Sequence, residues 1–170
     1  MDAIWVAGGL AVQNVVDILV EIPRGSQNKY VWDPVRRRIR LDRVLHSSIH
    51  YPSDYGIVLG THAEDGRPLD ALVIVTIPTF PGCVLQGKVI GCLKTRDEKG
   101  EDIKIIAVPV HDPRLSQYET LADIAPHRLK EIEYFFHAYK ELEGKQVEIQ
   151  GWGTAAEAMA AIAAHRVKPE

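Results

Sequence analysis

Apolar residues alternate with polar ones, or run on unbroken, through the first two thirds of the chain, and near its end they recur at helical spacing. Residues 17–22 predict a strand that stops at Pro23, where the backbone N–H donor is missing. Residues 38–42 alternate with a period of two, which turns Ile39 and Leu41 toward a core and Arg38 and Arg40 outward. Residues 71–77, 87–92 and 103–108 read as buried strands. Farther on, residues 127–142 set Leu129, Ile132, Phe135, Phe136, Tyr139 and Leu142 on one helical stripe. Thr154-Ala155-Ala156-Glu157 is a capping box opening an alanine-rich helix. Strands first and helices afterwards predict an α+β domain with helices packed on a barrel or sheet.

A length of 170 residues suits one domain spanning 1–170, and no linker or repeat divides it. Residues 1–14 form an apolar N-terminal extension without basic residues and without a run of about 18 apolar positions, so neither a signal peptide nor a membrane span is expected. Trp5 and Leu10 make an extra strand or a subunit contact the better reading of this segment. With no targeting signal elsewhere, the expected location is the cytoplasm. Cys83 and Cys92 are widely spaced, as suits small buried thiols in a reducing compartment.

A net charge of -3 excludes electrostatic capture of nucleic acid by the fold as a whole. Arg36, Arg37, Arg38 and Arg40 lie near Trp32, as in a groove for single strands, but they follow Asp33-Pro34 and read better as a solvated hairpin turn. Neither nucleic acid nor membrane is expected as a partner. His46 and His50 have the spacing of i, i+4 ligands without a supporting zinc motif, and are read as surface or interface groups.

Two acidic loops carry the candidate chemistry. Asp65-Gly66-Arg67-Pro68-Leu69-Asp70 has a turn that sets Asp65 and Asp70 near the mouth of a strand. Asp97-Glu98-Lys99-Gly100-Glu101-Asp102 repeats the arrangement before residues 103–108. Taken singly, each is also an ordinary polar turn. If both loops face one cavity, their carboxylates repel one another unless divalent ions sit between them, and nearby basic side chains suit a phosphate-like substrate.

Many short pieces in one order then carry a resemblance from Val20 onward. They are Glu21-Ile22-Pro23, Lys29-Tyr30, Asp42-Arg43, Tyr51-Pro52 with Asp54-Tyr55-Gly56, Asp65-Gly66 with Pro68 and Asp70, Lys94, Asp97 with Gly100-Glu101-Asp102 and Lys104, Ala107-Val108-Pro109, Phe135-Phe136, Tyr139-Lys140, and Gly151-Trp152. The chain resembles the family I soluble inorganic pyrophosphatases of bacterial type. The resemblance implies a five-stranded OB-like β-barrel with flanking α-helices. It also implies Mg²⁺-dependent hydrolysis of pyrophosphate to two phosphates, Mn²⁺ or another divalent ion being alternatives, and a homo-oligomer, a hexamer in the bacterial members.

By the same resemblance Asp65, Asp70 and Asp102 are metal ligands, Asp70 bridging two ions. Asp97, with Asp102, anchors an ion that arrives with substrate, and Glu21 acts through metal-bound water. Lys29, Arg43, Lys104 and Lys140, with the hydroxyls of Tyr55 and Tyr139, are the implied substrate contacts, and Tyr51 supports them. The family's signature reads Asp, a small residue, Asp, Pro, an apolar residue, Asp, and this chain has Arg67 at the middle Asp. Val31 also replaces the usual Glu after Lys-Tyr. Guanidinium stays protonated and cannot serve as a base, so Arg67 removes the expected proton acceptor. Glu64 is a neighbouring carboxylate, although its place in the loop should point it elsewhere. Impaired turnover is one expectation, and a retired homologue that binds phosphate or regulates as an oligomer is the alternative.

Overall fold

The computed structural model describes residues 4–5, 11–63 and 65–167. Near its start β1 (Ile4–Trp5) pairs antiparallel with β2 (Ala11–Val12). The side chains of Trp5 and Leu10, and Glu64 altogether, lie outside the described residues, and so do the expectations placed on them.

Five strands close a ring: β3 (Val15–Ile22), β6 (Asp54–Val58), β7 (Asp70–Val73), β8 (Val84–Asp97) and β9 (Gly100–Pro109). From β3 the hydrogen bonding runs to β6, to β7, in parallel to β9, to β8 and back to β3. This is the expected barrel, and closure leaves no open edge. The long β8 serves three partners, because β10 (Glu148–Thr154) also pairs with its second half. A register shift between Val89 and Gly91 bends it around the ring. The ribbon of β4 (Asn28–Asp33) and β5 (Arg38–Val44) pairs only with itself.

Both faces of the ring are apolar, which is why its strands read as runs rather than alternations. One face carries Val16, Ile18, Ala71, Val73, Ile105 and Ala107, and meets Ala158 and Ile162 of α2 (Ala155–Ala164). The other carries Ile22, Leu72, Ile90, Leu93, Ile106 and Val108, and packs on Ile132, Phe135 and Phe136 of α1 (Pro126–Ala138). On this second face, alternation along β7 and β9 brings polar residues to one end: Asp70 precedes Leu72, and Asp102 and Lys104 precede Ile106.

The Thr154 box forms as expected, with the Thr154 hydroxyl accepting from the Glu157 N–H and the Glu157 carboxylate accepting from the Thr154 N–H. Four expectations need correction. Leu41 is 50% exposed, because the β4–β5 ribbon has no sheet covering that face. Leu142 is 68% exposed: α1 ends at Ala138, and the tighter turn Glu141–Glu143 rotates Leu142 off the stripe. The strand from Ala71 stops at Val73, leaving Ile77 exposed. Cys92 is buried, but Cys83 is only half-buried, at the turn into β8.

Candidate active site

The parallel register of β7 and β9 sets Asp70 directly beside Lys104. Asp102, two residues earlier on β9, points the same way. The Lys104 ammonium lies 2.8 Å from Asp102 Oδ2, 3.4 Å from Asp70 Oδ2 and 3.1 Å from the Tyr55 hydroxyl. Its stem runs between aromatic rings, with Nζ 4.8 Å from the Phe136 ring centre and 5.4 Å from that of Tyr55. Burial alone would discharge Lys104, yet Asp70 and Asp102 outweigh it and raise its pKa. Asp102 goes up as well: burial and the charges of Asp70 and Asp97 exceed the pull of Lys104. These carboxylates therefore share one electrostatic pocket.

The hairpin between β8 and β9 turns through Gly100 at φ 117°, a conformation that disfavours side chains, and so returns Asp102 alongside Thr95. At its start Asp97 accepts from the Lys99 N–H at 2.8 Å and faces the Lys140 ammonium at 3.5 Å. Burial works to raise Asp97, but these two donors win and hold it below the ordinary range. Lys140 follows Tyr139, the residue that caps the C-terminus of α1. Tyr139 itself is buried, stacked on Phe135 with ring centres 5.2 Å apart.

Glu21 enters from β3. It is 7% exposed, and its carboxylate accepts from the Trp32 N–H at 2.8 Å. Burial, helped by Asp70, pushes its pKa from 4.5 to about 7, against the pull of the Trp32 N–H, Lys29 and Arg67. Lys29 and Arg43 are cross-strand partners on the β4–β5 ribbon, and both reach Asp42, at 3.4 and 2.7 Å. Burial chiefly, with Arg43 beside it, lowers the Lys29 pKa although Asp42 opposes.

The first acidic loop turns through Gly66 at φ 79°. Asp65 is exposed and accepts from the Arg67 N–H at 2.9 Å within that turn. Among the described residues no three His, Cys, Asp or Glu side chains gather closely enough to cage an ion. Mg²⁺ does not require such a cage, because it keeps several waters and takes only one or two carboxylates besides substrate oxygens. The all-oxygen donor set of Asp70, Asp97 and Asp102 fits such an ion.

A sequence model of the family described as inorganic pyrophosphatase matches residues 18–168. The chain belongs to the inorganic pyrophosphatase family. It is 51% identical over 144 residues to the inorganic pyrophosphatase of Geobacillus stearothermophilus, covering 84% of this chain and 87% of that one. Against the enzyme of a Nostoc species the identity is 53% over 138 residues, 81% and 82% of the two chains. The crystal structure of the Thermus thermophilus inorganic pyrophosphatase superposes with a TM-score of 0.87 at 42% identity, over 94% of each chain.

In this family member Glu21 lies close enough to both the acidic pocket and the cationic ribbon for its charge to feel Asp70 and Lys29. Sequence reasoning missed Glu143. Its carboxylate lies 2.8 Å from Arg43 Nε and accepts from Arg43 Nη2 at 3.2 Å. The partners stand 100 residues apart, and nothing local to either marks the pair. Asp42 does carry a local signal, a carboxylate beside Arg43 that bridges it to Lys29 on the same hairpin.

Proposed function

We propose that the chain hydrolyses inorganic pyrophosphate to two phosphates with Mg²⁺ as its metal. The observation that supports this reading best is the buried Lys104 held between Asp70 and Asp102, with Lys29, Arg43 and Lys140 close by on separate elements. Anionic and cationic side chains meeting in one pocket suit a substrate that is itself polyanionic and arrives with cations.

Asp65, Asp70, Asp97 and Asp102 would hold the ions, with Glu21 acting through water. When bound, divalent ions polarise phosphoryl oxygens and make an attacking water more acidic. The chain's own cations do the rest of the binding. Lys29, Arg43 and Lys140 hold phosphate oxygens, Arg43 through its planar fork and the lysines as point charges. Lys104 steadies the ionised carboxylates, and the hydroxyls of Tyr55 and Tyr139 donate to phosphate. Water oxygen bonds to one phosphorus, the bridging P–O bond breaks, the second phosphate leaves with the electron pair, and the proton lost by the water ends on that departing phosphate. Position 67 offers no acceptor for the water's proton, because the Arg67 guanidinium is already protonated.

Phosphate release from pyrophosphate by purified protein, titrated with Mg²⁺ and repeated with Mn²⁺, tests the reading. Release that requires the metal and saturates with substrate is expected, and Asp102→Asn should abolish most of it. Metal-independent release, or none at any metal concentration, would overturn the assignment. We also propose that the protein is a cytoplasmic homo-oligomer, a hexamer by analogy with bacterial members, and sedimentation at micromolar protein should show no monomer.

A further inference from the structure

Arg43 has an unusual setting for a group read as a phosphate binder. Its side chain is only 25% exposed, and two carboxylates already hold it. Asp42 takes an N–H of Nη1 at 2.7 Å. Glu143 lies 2.8 Å from Nε and takes an N–H of Nη2 at 3.2 Å, with its own side chain 9% exposed. A guanidinium carries five N–H donors; Asp42 and Glu143 take one from each Nη, the buried Nε–H makes an ion-pair contact with Glu143 without a hydrogen bond, and one N–H on each Nη has no protein partner.

Glu143 belongs to the 3-10 turn Glu141–Glu143, which directly follows Tyr139 and Lys140. That turn closes on Gly144, whose N–H donates to the Glu141 carbonyl. The Arg43–Glu143 contact thus ties the isolated β4–β5 ribbon to the end of α1, and with it Lys29 and Arg43 to Tyr139 and Lys140. No sheet hydrogen bond links the ribbon to the barrel among the described strands, and beyond the backbone hydrogen bonds at its base, such as Tyr51 N–H to the Ser26 carbonyl, side-chain contacts help to set its position.

We propose that Glu143 is a positioning residue for pyrophosphate binding, fixing the Arg43 fork so that its two free N–H groups face the substrate together with Lys140. This rests on the pyrophosphatase reading above. Without Glu143 the guanidinium keeps its charge but gains rotamers, and its preorganisation is lost. A side chain that acts only by orienting a ground-state contact changes affinity and KM more than kcat.

The test uses the full chain and Glu143→Gln, which keeps the shape and removes the charge. Calorimetric titration with imidodiphosphate in the presence of Mg²⁺ reads binding without turnover. About tenfold weaker binding is expected, as befits a charged hydrogen bond lost from a preorganised site, with KM for pyrophosphate rising in parallel and kcat nearly unchanged. In an Arg43→Ala background the same substitution should change nothing further. Should Glu143→Gln fail to fold, Glu143→Asp, which keeps the charge but withdraws it by one methylene, carries the same comparison. Unchanged affinity in a wild type that binds the analogue would overturn the proposal alone. An effect that persists without Arg43 would overturn it too. A wild type that binds no analogue would remove it together with the pyrophosphatase reading.

Discussion

Lys104 stands two residues after Asp102 on β9 and reaches back to it, Nζ to Oδ2, over 2.8 Å. Lys104 is buried, 4% exposed, while Asp102 is partly open to solvent, and Asp70 and the Tyr55 hydroxyl also approach the ammonium. Two carboxylates from neighbouring strands are thus held together by a cation the protein supplies itself.

Lys104→Met keeps the stem between the Tyr55 and Phe136 rings but leaves the carboxylates facing each other uncompensated. Breaking a buried pair costs about 3–5 kcal/mol, and the loss expected here lies near the lower figure because Asp102 remains partly open to solvent. Urea denaturation in metal-free buffer measures it. Added Mg²⁺ should recover part of the loss, since a bound ion stabilises the fold that binds it. Equal midpoints for variant and wild type would show that the cation does not hold this pair.

Glu21 makes the metal-free protein pH-dependent. Its folded pKa of about 7 lies above the ordinary 4.5, so its contribution to stability is full below pH 4.5 and is lost as pH rises through 7. The shift corresponds to about 3 kcal/mol. Glu21→Gln, which can still accept from the Trp32 N–H, should match wild type below pH 4.5 and exceed it by about that amount at pH 8. Denaturation midpoints with chelator present, taken across this range, decide the matter; parallel curves would rule the effect out.

Arg67→Asp restores a proton acceptor in the first acidic loop. Arg67 is exposed, and among the described residues its side chain has no hydrogen-bond or ion-pair partner, so the exchange should leave the fold intact. We expect at least a tenfold gain in Mg²⁺-dependent phosphate release, the low end of what a general base supplies, because Val31 stays unchanged. Wild-type turnover at ordinary enzyme rates, unimproved by the substitution, would mean that another group takes the proton.

Thr154→Ala provides a control far from the chemistry. It removes the hydroxyl that caps α2 and should cost about 1 kcal/mol of stability with kcat/KM unchanged. A change in turnover beyond twofold would tie α2 to the site.

Much of the fold was legible along the chain because its signals are local. The capping box at Thr154, the stripe through Ile132, Phe135 and Phe136, and the apolar run ending at Val108 each depend on residues within a turn or two of one another. The same local logic failed for Leu41 and Leu142. Their spacing matches that of core residues, and only the absence of a covering layer on the ribbon, or a tightening of the backbone after Ala138, exposes them.

The site divides in the same way. The order of residue types along the sequence singled out the candidate site residues, from Glu21 to Lys140, since the matching pieces keep their order whatever the fold between them. Tertiary structure alone decided who touches whom. The parallel register of β7 on β9 sets Asp70 beside Lys104, and the return of α1 to the ribbon sets Glu143 against Arg43. Partners 34 and 100 residues apart leave no periodicity to read, because the free energy that joins them comes from closing the barrel and burying α1, not from any preference of the residues between.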